Sequence, residues 1–323
     1  MKILILGADG FYGWPLLNRL AKNHTVLGLD NFWRRHNTDP SLIPLNNRSI
    51  EFCDITNIET FEKIISSFLP DVVVHLAEQR SAPYSMKDYY TKVQTIQNNT
   101  LSTLNVAEMA KKYKFHIIHI GSMGVYGYTN HIEEGDIARS PGSIYHVSKC
   151  MDNNLLEFYS RTYGVSVTEL HQGIIWGIGG RFDYDATFGT VINRFIVQKM
   201  INEPLTLYGK GLQKRAFIHI ENSIDCVELA ISNRPIGMET YNQYTEIKTI
   251  AEIATIVGGV PKNIKNPRIE NEQNQLTSSN QKLLSLGMKP IIISQEEILK
   301  IEKQLSSFIK NVDIGLIQPT VQW

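Results

Sequence analysis

The chain has 323 residues, enough for one large domain or two closely joined ones. Lys plus Arg and Asp plus Glu both count 32, so no overall field exists to draw in nucleic acid or an anionic membrane. The three cysteines, Cys53, Cys150 and Cys226, lack metal-ligand spacing; they read as thiols of a reducing compartment, and no metal site is expected.

Residues 2–6 read as a short strand buried on both faces of a parallel sheet. Met1 to Leu6 would pass for the start of a signal peptide, but Gly7, Asp9 and Gly10 break the run early. No later stretch is long enough to span a bilayer, which points to a soluble, cytoplasmic protein. Gly7-Ala8-Asp9-Gly10-Phe11-Tyr12-Gly13 follows, then a helix carrying Leu16, Leu17 and Leu20. A glycine-rich turn between strand and helix lets the backbone approach a pyrophosphate, and the helix N-terminus supplies amide donors. The spacing is Gly-x-x-Gly-x-x-Gly rather than Gly-x-Gly-x-x-Gly, and its place between strand and helix is what gives it weight.

A second strand, Thr25 to Leu29, ends in Asp30-Asn31. Asp30 is placed to bond both ribose hydroxyls of NAD and to repel a 2′-phosphate. Arg34 and Arg35 in the same loop would favour NADP; the carboxylate at the strand tip decides for NAD. Asp54 closes a strand over Ile50–Cys53, and Thr56 or Asn57 caps a helix to about Phe68. Val72 to Ala77 is another buried strand, with Glu78 to Tyr84 at its carboxyl end, where open α/β sheets bind ligands. A long helix around Lys92–Tyr113 carries Asn98 and Asn99, and the strand Phe115–Ile120 delivers Gly121-Ser122-Met123-Gly124 to the same edge.

The next helix, Tyr145 to Tyr163, opens with Tyr145-His146-Val147-Ser148-Lys149. Positions i and i+4 share a helix face, so the phenol and the ammonium converge. A free tyrosine has a pKa of about 10; a nearby ammonium favours the phenolate and brings it towards the working range. Val165 to Leu170 completes the alternation of strand and helix that marks a doubly wound sheet.

After Gln172 the glycines 173, 177, 179 and 180 read as a flexible crossover, and Arg181–Gly189 is rich in Asp and aromatics. A helix to Met200, a strand Leu205–Tyr208 and a turn at Gly209–Gly211 follow. Phe217–Ile220 and a helix from Ser223, capped by Asn222, are expected to return to the main sheet, with later helices at Glu246–Val257 and Gln295–Ile309. The predicted class is α/β: a Rossmann-type doubly wound parallel sheet with a smaller α+β substrate domain. Residues 1–172 plus about 216–235 would bind NAD, and about 173–215 plus 236–323 the substrate.

Together Gly7–Gly13, Asp30, Asp54, Asn99, Ser122 and Tyr145/Lys149 resemble the extended short-chain dehydrogenase/reductase (NAD-dependent epimerase/dehydratase) family, which works on nucleotide sugars. Val74–Met86, Phe182–Gly189, Pro204–Gly211, Asp30–Arg35, Asn266–Glu270 and Val321–Trp323 are similar to the UDP-sulfoquinovose synthase group within it. The resemblance implies a catalytic set of Ser122 (threonine in that group), Tyr145 and Lys149 around a tightly held NAD. Cofactor contacts are implied for Gly7, Asp9, Gly10, Phe11, Tyr12, Gly13, Asp30, Asn31, Arg34 and Arg35. Further contacts fall to Asp54, Ile55, Leu76, Ala77, Glu78, Gln79, Asn99, Tyr145, Lys149 and Gln172. UDP-glucose is the implied substrate: Asn193, Arg194, Leu205, Thr206 and Tyr208 at the uridine, Gln213, Arg215 and Arg268 at the diphosphate, Glu270 at a ribose hydroxyl. Arg80, Ser81, Met123, His146 and Gln172 would face the sugar and incoming sulfite, and two copies would pair through the two long helices.

The chain departs from that group in places. Val125 stands where a glutamate is expected, Trp176 replaces a tyrosine, and the chain is shortened before Tyr145 and between Gly177 and Arg181. Sugar 4,6-dehydratases carry Asp-Glu directly after the catalytic Ser/Thr; Met123-Gly124 stand there instead, leaving His146, with a reference pKa near 6.5, as the nearest titratable group. The implied reaction oxidises C4 of the sugar, eliminates water across C5 and C6, adds sulfite at C6 and reduces C4 again. The alternative is a UDP-hexose 4-epimerase or another NAD-dependent nucleotide-sugar epimerase/dehydratase, which needs less acid-base equipment.

Overall fold

Strand β1 (Lys2–Leu6) shows why the opening run is apolar after its first residue: Ile3 and Ile5 enter one core, Leu4 and Leu6 another. It begins a computed structural model that describes residues 1–323 apart from 39–40, 47, 128–130, 133, 135–140, 269–275, 320 and 323. Following it are α1 (Gly13–Leu20), β2 (Thr25–Asp30), α2 (Trp33–Asn37), β3 (Glu51–Phe52), α3 (Ile58–Phe68), β4 (Val72–His75), α4 (Ala82–Ser85) and α5 (Tyr89–Tyr113). Then come β5 (His116–Ser122), a 3-10 turn (Met123–Tyr126), β6 (His131–Ile132), α6 (Ile144–Tyr163) and β7 (Val167–Gln172). The remainder holds β8 (Ile174–Trp176), α7 (Val191–Met200), β9 (Leu205–Tyr208), β10 (Lys214–His219), α8 (Ile220–Ser232), β11 (Met238–Gln243) and β12 (Glu246–Thr249). It closes with α9 (Ile250–Val257), β13 (Pro261–Ile264), β14 (Thr277–Ser278), α10 (Gln281–Ser285) and α11 (Gln295–Leu305).

Seven strands make one parallel sheet in the order β11-β7-β5-β4-β1-β2-β3. α1 and α8 cover one face, where Leu16, Leu20, Ile224 and Val227 meet Ile3, Ile5 and Val74. α3, α5 and α6 cover the other, with Phe61, Ile65, Ala107 and Leu156 against Leu4, Leu6 and Val73. This is the expected doubly wound α/β sheet. Strand order reverses between β1 and β4, which opens a crevice above their carboxyl ends. α5 starts at Tyr89 rather than Lys92 because Asp88 and Thr91 form a reciprocal capping box. Asn57 caps α3 by accepting from the Thr60 amide at 3.1 Å.

The second half departs from expectation in four places. Gly173–Gly180 is not a plain crossover: Ile174–Trp176 is a strand parallel to β10 in a three-stranded sheet, β12-β10-β8. Phe217–Ile220 does not return to the large sheet either, since β10 stays in the small one and the seventh large-sheet strand is β11, paired with β7. Phe217 enters the core shared by Trp176, Phe195 and Ile253, whereas Ile218 enters the core under α1 and α8, so a run apolar on both sides fits either sheet. α8 then begins at Ile220 and is capped by His219, whose Nδ1 accepts from the Glu221 amide, and Asn222 lies inside it. Finally, Glu246–Thr249 is an antiparallel strand on β10, and a Thr249/Glu252 capping box starts α9 only at Ile250.

Candidate active site

A cleft enclosing about 1280 Å³, open mouth included, lies over the carboxyl ends of β1, β2, β4 and β5. Its floor is the turn after β1. Gly7 takes φ +83, and a Cβ on Gly13 would sit 2.1 Å from the Gly7 carbonyl oxygen, so the turn closes only with glycine at both positions. Gly10, Phe11, Tyr12, Asn31, Asp54, Ile55, Leu76, Ala77, Glu78, Gln79 and Gln172 line the walls.

At one end Asp30 accepts from the amides of Asp9 (2.9 Å) and Phe32 (2.8 Å), while burial pushes its carboxyl above the usual range. The loop arginines that would welcome a 2′-phosphate are engaged elsewhere. Arg35 grips the buried Asp9 carboxylate with two bonds of 2.5 Å, and Arg48 adds a third at 2.9 Å. Arg34 pairs with Asp183 at 2.7 Å and stacks over Phe188 at 3.7 Å. The residues therefore fit a dinucleotide with an unphosphorylated ribose. Asp9 and Arg35 stand behind the lining rather than in it. So does Asn99, which bonds Gln79 N and O at 2.8 and 2.9 Å and Ser148 Oγ at 2.9 Å.

At the other end Ser143 caps α6, and the Tyr145 amide donates to Ser85 Oγ at 3.1 Å. Ser122 ends β5 and accepts from the Gly124 amide at 3.0 Å. Tyr145 and Lys149 both reach the cleft, and Ser122 bonds the phenol. Enclosure raises the Tyr145 pKa above its ordinary value of 10.0; Lys149 and Ser122 pull it back, and Glu78 pushes it further up. Side chains alone thus do not deliver the expected lowering.

The reason lies under the helix. Lys149 is buried, donates to the Ile120 carbonyl at 2.6 Å and pairs with Glu78 Oε2. Burial opposes its charge, but Glu78 holds the ammonium well above its usual range. Glu78 in turn meets His119 Nε2 at 2.6 Å, and His119 Nδ1 meets Glu169 at 2.6 Å. His75, Glu78 and His119 could gather around a metal by distance, but both His119 nitrogens already face carboxylates. Glu169 and His119 were not foreseen, although a charged residue inside a buried strand was the available signal.

His146 packs against Tyr145 with ring centroids 5.1 Å apart, and its Nδ1 lies 3.1 Å from Ser143 Oγ. Burial, with Arg268 and Arg215 nearby, pushes its pKa down to about 4, so it is neutral at neutral pH rather than poised near 6.5. A Cβ on Gly124 would sit 2.1 Å from the His146 ring. Val125 is buried in an apolar cluster with Tyr126 and Ala216.

Among the expected substrate residues, Arg80 and Gln172 line the cleft; Arg80 bonds Asp183 (2.5 Å) and the Phe188 carbonyl (3.0 Å). Met123 follows Ser122, and Ser81 caps α4. A second hollow is lined by Tyr208, Arg268, Thr187 and Pro83. Arg194 bonds the Tyr208 hydroxyl at 3.3 Å, and Gln213 donates to the Tyr208 carbonyl at 3.3 Å. Arg215 lies on β10, near enough to His146 to depress its pKa. Asn193 instead ties both polar groups of Gly177 at 3.1 Å, and Leu205 and Thr206 are buried, Thr206 accepting from Gln198 at 2.6 Å. Glu270 lies outside the described residues. Trp33, Gln94, Asn98, Arg181 and Phe188 also line the cleft and were not expected; Arg181 and Phe188 come from the Asp-rich segment, whose composition alone hinted at them.

No helix among the described residues is long and apolar enough to cross a membrane. Residues 3–244 match the NAD dependent epimerase/dehydratase family. The chain is 34% identical to a chloroplastic UDP-sulfoquinovose synthase of Spinacia oleracea over 100% of this chain and 79% of that one. It is also 34% identical to a UDP-sulfoquinovose synthase of Sulfolobus acidocaldarius, covering 100% and 98% of the two chains. Among solved structures, a Bacillus cereus UDP-glucuronic acid 4-epimerase, in complex with UDP-glucuronic acid and NAD, superposes with a TM-score of 0.79. It is 25% identical, over 95% of this chain and 99% of that one.

Proposed function

The chain belongs to the NAD dependent epimerase/dehydratase family, and from that premise we propose that it converts UDP-glucose and sulfite to UDP-sulfoquinovose with NAD as cofactor. The observation that carries this reading is an end-to-end likeness to two such synthases in a chain whose Tyr145 and Lys149 line one cleft, with Ser122 bonded to the phenol.

Bound NAD supplies the acceptor and donor of hydride, held by the Gly7–Gly13 turn and Asp30. Tyr145 takes the proton of the glucose 4-hydroxyl at its phenolic oxygen. Ser122 shares that hydrogen bond, and the Lys149 ammonium favours the phenolate. A ketone at C4 acidifies the C5 proton, so the 6-hydroxyl leaves as water and sulfite adds at C6 through sulfur. His146, neutral and beside Tyr145, can accept a proton or a hydrogen bond there. Arg80 and Arg268 suit the sulfite and diphosphate oxygens as planar guanidinium donors.

The protein works in the cytoplasm as a homodimer, paired across α5 and α6, where Leu101, Met151 and Phe158 are exposed. Light scattering that gives a monomer at micromolar concentration would remove the dimer.

One observation favours a second reading, a UDP-hexose 4-epimerase: Val125 offers an apolar side chain where the synthases are expected to place a carboxylate. Mass spectrometry of products from UDP-glucose, with and without sulfite in deuterated water, separates the two. A sulfonated product carrying deuterium at C5 supports the synthase; unlabelled UDP-galactose replaces it with the epimerase.

A further inference from the structure

The buried cluster beneath α6 is an unusual use of charge. Lys149, Glu78, His119 and Glu169 are each at most 4% exposed at their side chains, and in that order each touches the next. A buried ion pair costs desolvation that its attraction only just repays, so four linked charges under a candidate base call for a reason. Both His119 nitrogens lie 2.6 Å from carboxylate oxygens. Two acceptors on opposite sides of one ring are satisfied together only when each nitrogen carries a proton, which makes the ring an imidazolium. The pKa follows the geometry: burial alone would lower it, but the carboxylates raise it to about 10.

We propose that His119 is a positioning residue for the Tyr145–Lys149 pair: as an imidazolium clamped between Glu78 and Glu169, it offsets the Glu78 charge and limits how far the Lys149 ammonium is drawn off the Tyr145 phenol. This rests on Tyr145 as proton acceptor, a step common to both readings above, and not on the identity of the product.

The balance can be counted. Glu78 and Glu169 carry two negative charges, His119 and Lys149 two positive. The groups facing His119 are Glu78 and His75 from β4 and its end, Lys149 and Asp152 from α6, and Glu169 from β7, whose Oε1 also lies 3.4 Å from His171 on the same strand. Burial lowers His75 to about 3, so it is neutral at neutral pH, and pushes the Asp152 carboxyl well above its ordinary value, towards its uncharged form. Those facing Tyr145 are Lys149, Glu78, Ser122, Arg80 and the His146 ring, neutral at neutral pH. Lys149 is shared between the two sets, and Glu78 acts on the phenol both directly and through it. The backbone has been shaped for this arrangement: a Cβ on Gly121 would lie 2.1 Å from Glu169 Oε1.

His119→Gln removes one positive charge and leaves the cluster at minus one. Glu78 then claims more of Lys149, and the acidic limb of the kcat profile, read as oxidation of UDP-glucose in single turnover, moves up by about one pH unit, with KM for UDP-glucose within about twofold. His119→Lys keeps the charge and restores the limb. The double variant H119Q/E169Q is neutral again and restores it too, which separates charge from packing. Two readouts need no turnover. The ring nitrogens of His119 in the wild-type protein should show an imidazolium by 15N NMR at neutral pH. Tyrosinate absorbance, taken as the part lost in Tyr145→Phe, should titrate higher in H119Q. A neutral His119 ring, an unmoved limb in H119Q, or H119K as impaired as H119Q overturns the proposal. If UDP-glucose gives only UDP-galactose, the synthase reading falls and the comparison of limbs still stands.

Discussion

The two ends of the cleft handle charge in opposite ways. Under Tyr145, carboxylates and cations are matched and sealed from water. Around Asp30, arginines outnumber their partners at a half-open rim: Arg34, Arg80 and Arg181 share Asp183, and Arg35 and Arg48 share Asp9. The Arg80 and Arg35 side chains are 35% and 30% exposed, with Arg48 and Arg181 buried behind them, whereas no side chain of the Lys149–Glu78–His119–Glu169 series exceeds 4%. A dry, balanced set fixes proton affinities, because nothing nearby can reorganise. Guanidinium groups at a half-open rim can hold anionic ligands and adapt to them. Under the proposed function, the difference separates the end assigned to chemistry from the end assigned to phosphate and ribose.

Breaking the sealed end has the largest expected effect. Tyr145→Phe should lower kcat about 10³-fold while leaving nucleotide content and melting temperature near wild type. An active Y145F enzyme would end the assignment of this end to chemistry. Next comes the rim. Asp183→Ala strands buried positive charge and should cost about 3 kcal/mol of stability, measured by denaturant unfolding. A smaller loss would mean that water already solvates those arginines.

Near neutrality pH acts mainly through the histidines, since arginine does not titrate in the accessible range. His75, His116 and His146 have folded pKa values pushed down to about 3, 4 and 4, chiefly by burial. The unfolded chain binds their protons first, so stability is full above about 6.5 and falls as pH drops, by about 1.4 kcal/mol per unit for each ring until its folded value is passed. His119 has the opposite sign. Raised to about 10, it contributes fully below its ordinary value of 6.5, and that contribution is lost as pH rises through about 10. Thermal melts across pH should therefore show a maximum near neutrality with losses on both sides. The smallest effect is on cofactor choice. Asp30→Ser should narrow the preference for NAD over NADP by about tenfold and no more, because Arg35 remains tied to Asp9. Full conversion to NADP would show that Arg35 is easily released.

Much of this was legible wherever local pattern decides the outcome. The β1 turn, the Asp30 tip and the Tyr145–Lys149 face rest on spacings of a few residues. What escaped depends on contacts across the chain. His119 and Glu169 meet across 50 positions, and nothing in either neighbourhood announces the other. Arg35 looked like a ligand for a phosphate until folding placed Asp9 against it, 26 positions away. The β10 run was expected in the large sheet because Phe217 and Ile218 are both buried, on opposite sides, and β11 takes that place instead. The direction of the Tyr145 shift depends on enclosure, which no spacing reveals.

The contact between Gly124 and His146 fixes an order of events. A dehydratase-like acid at position 124 would need the volume that the imidazole fills, since even a Cβ would lie 2.1 Å from it. Gly124→Glu alone therefore forces the His146 ring out of its place beside Tyr145. A smaller residue at 146, introduced before the acid, removes that conflict.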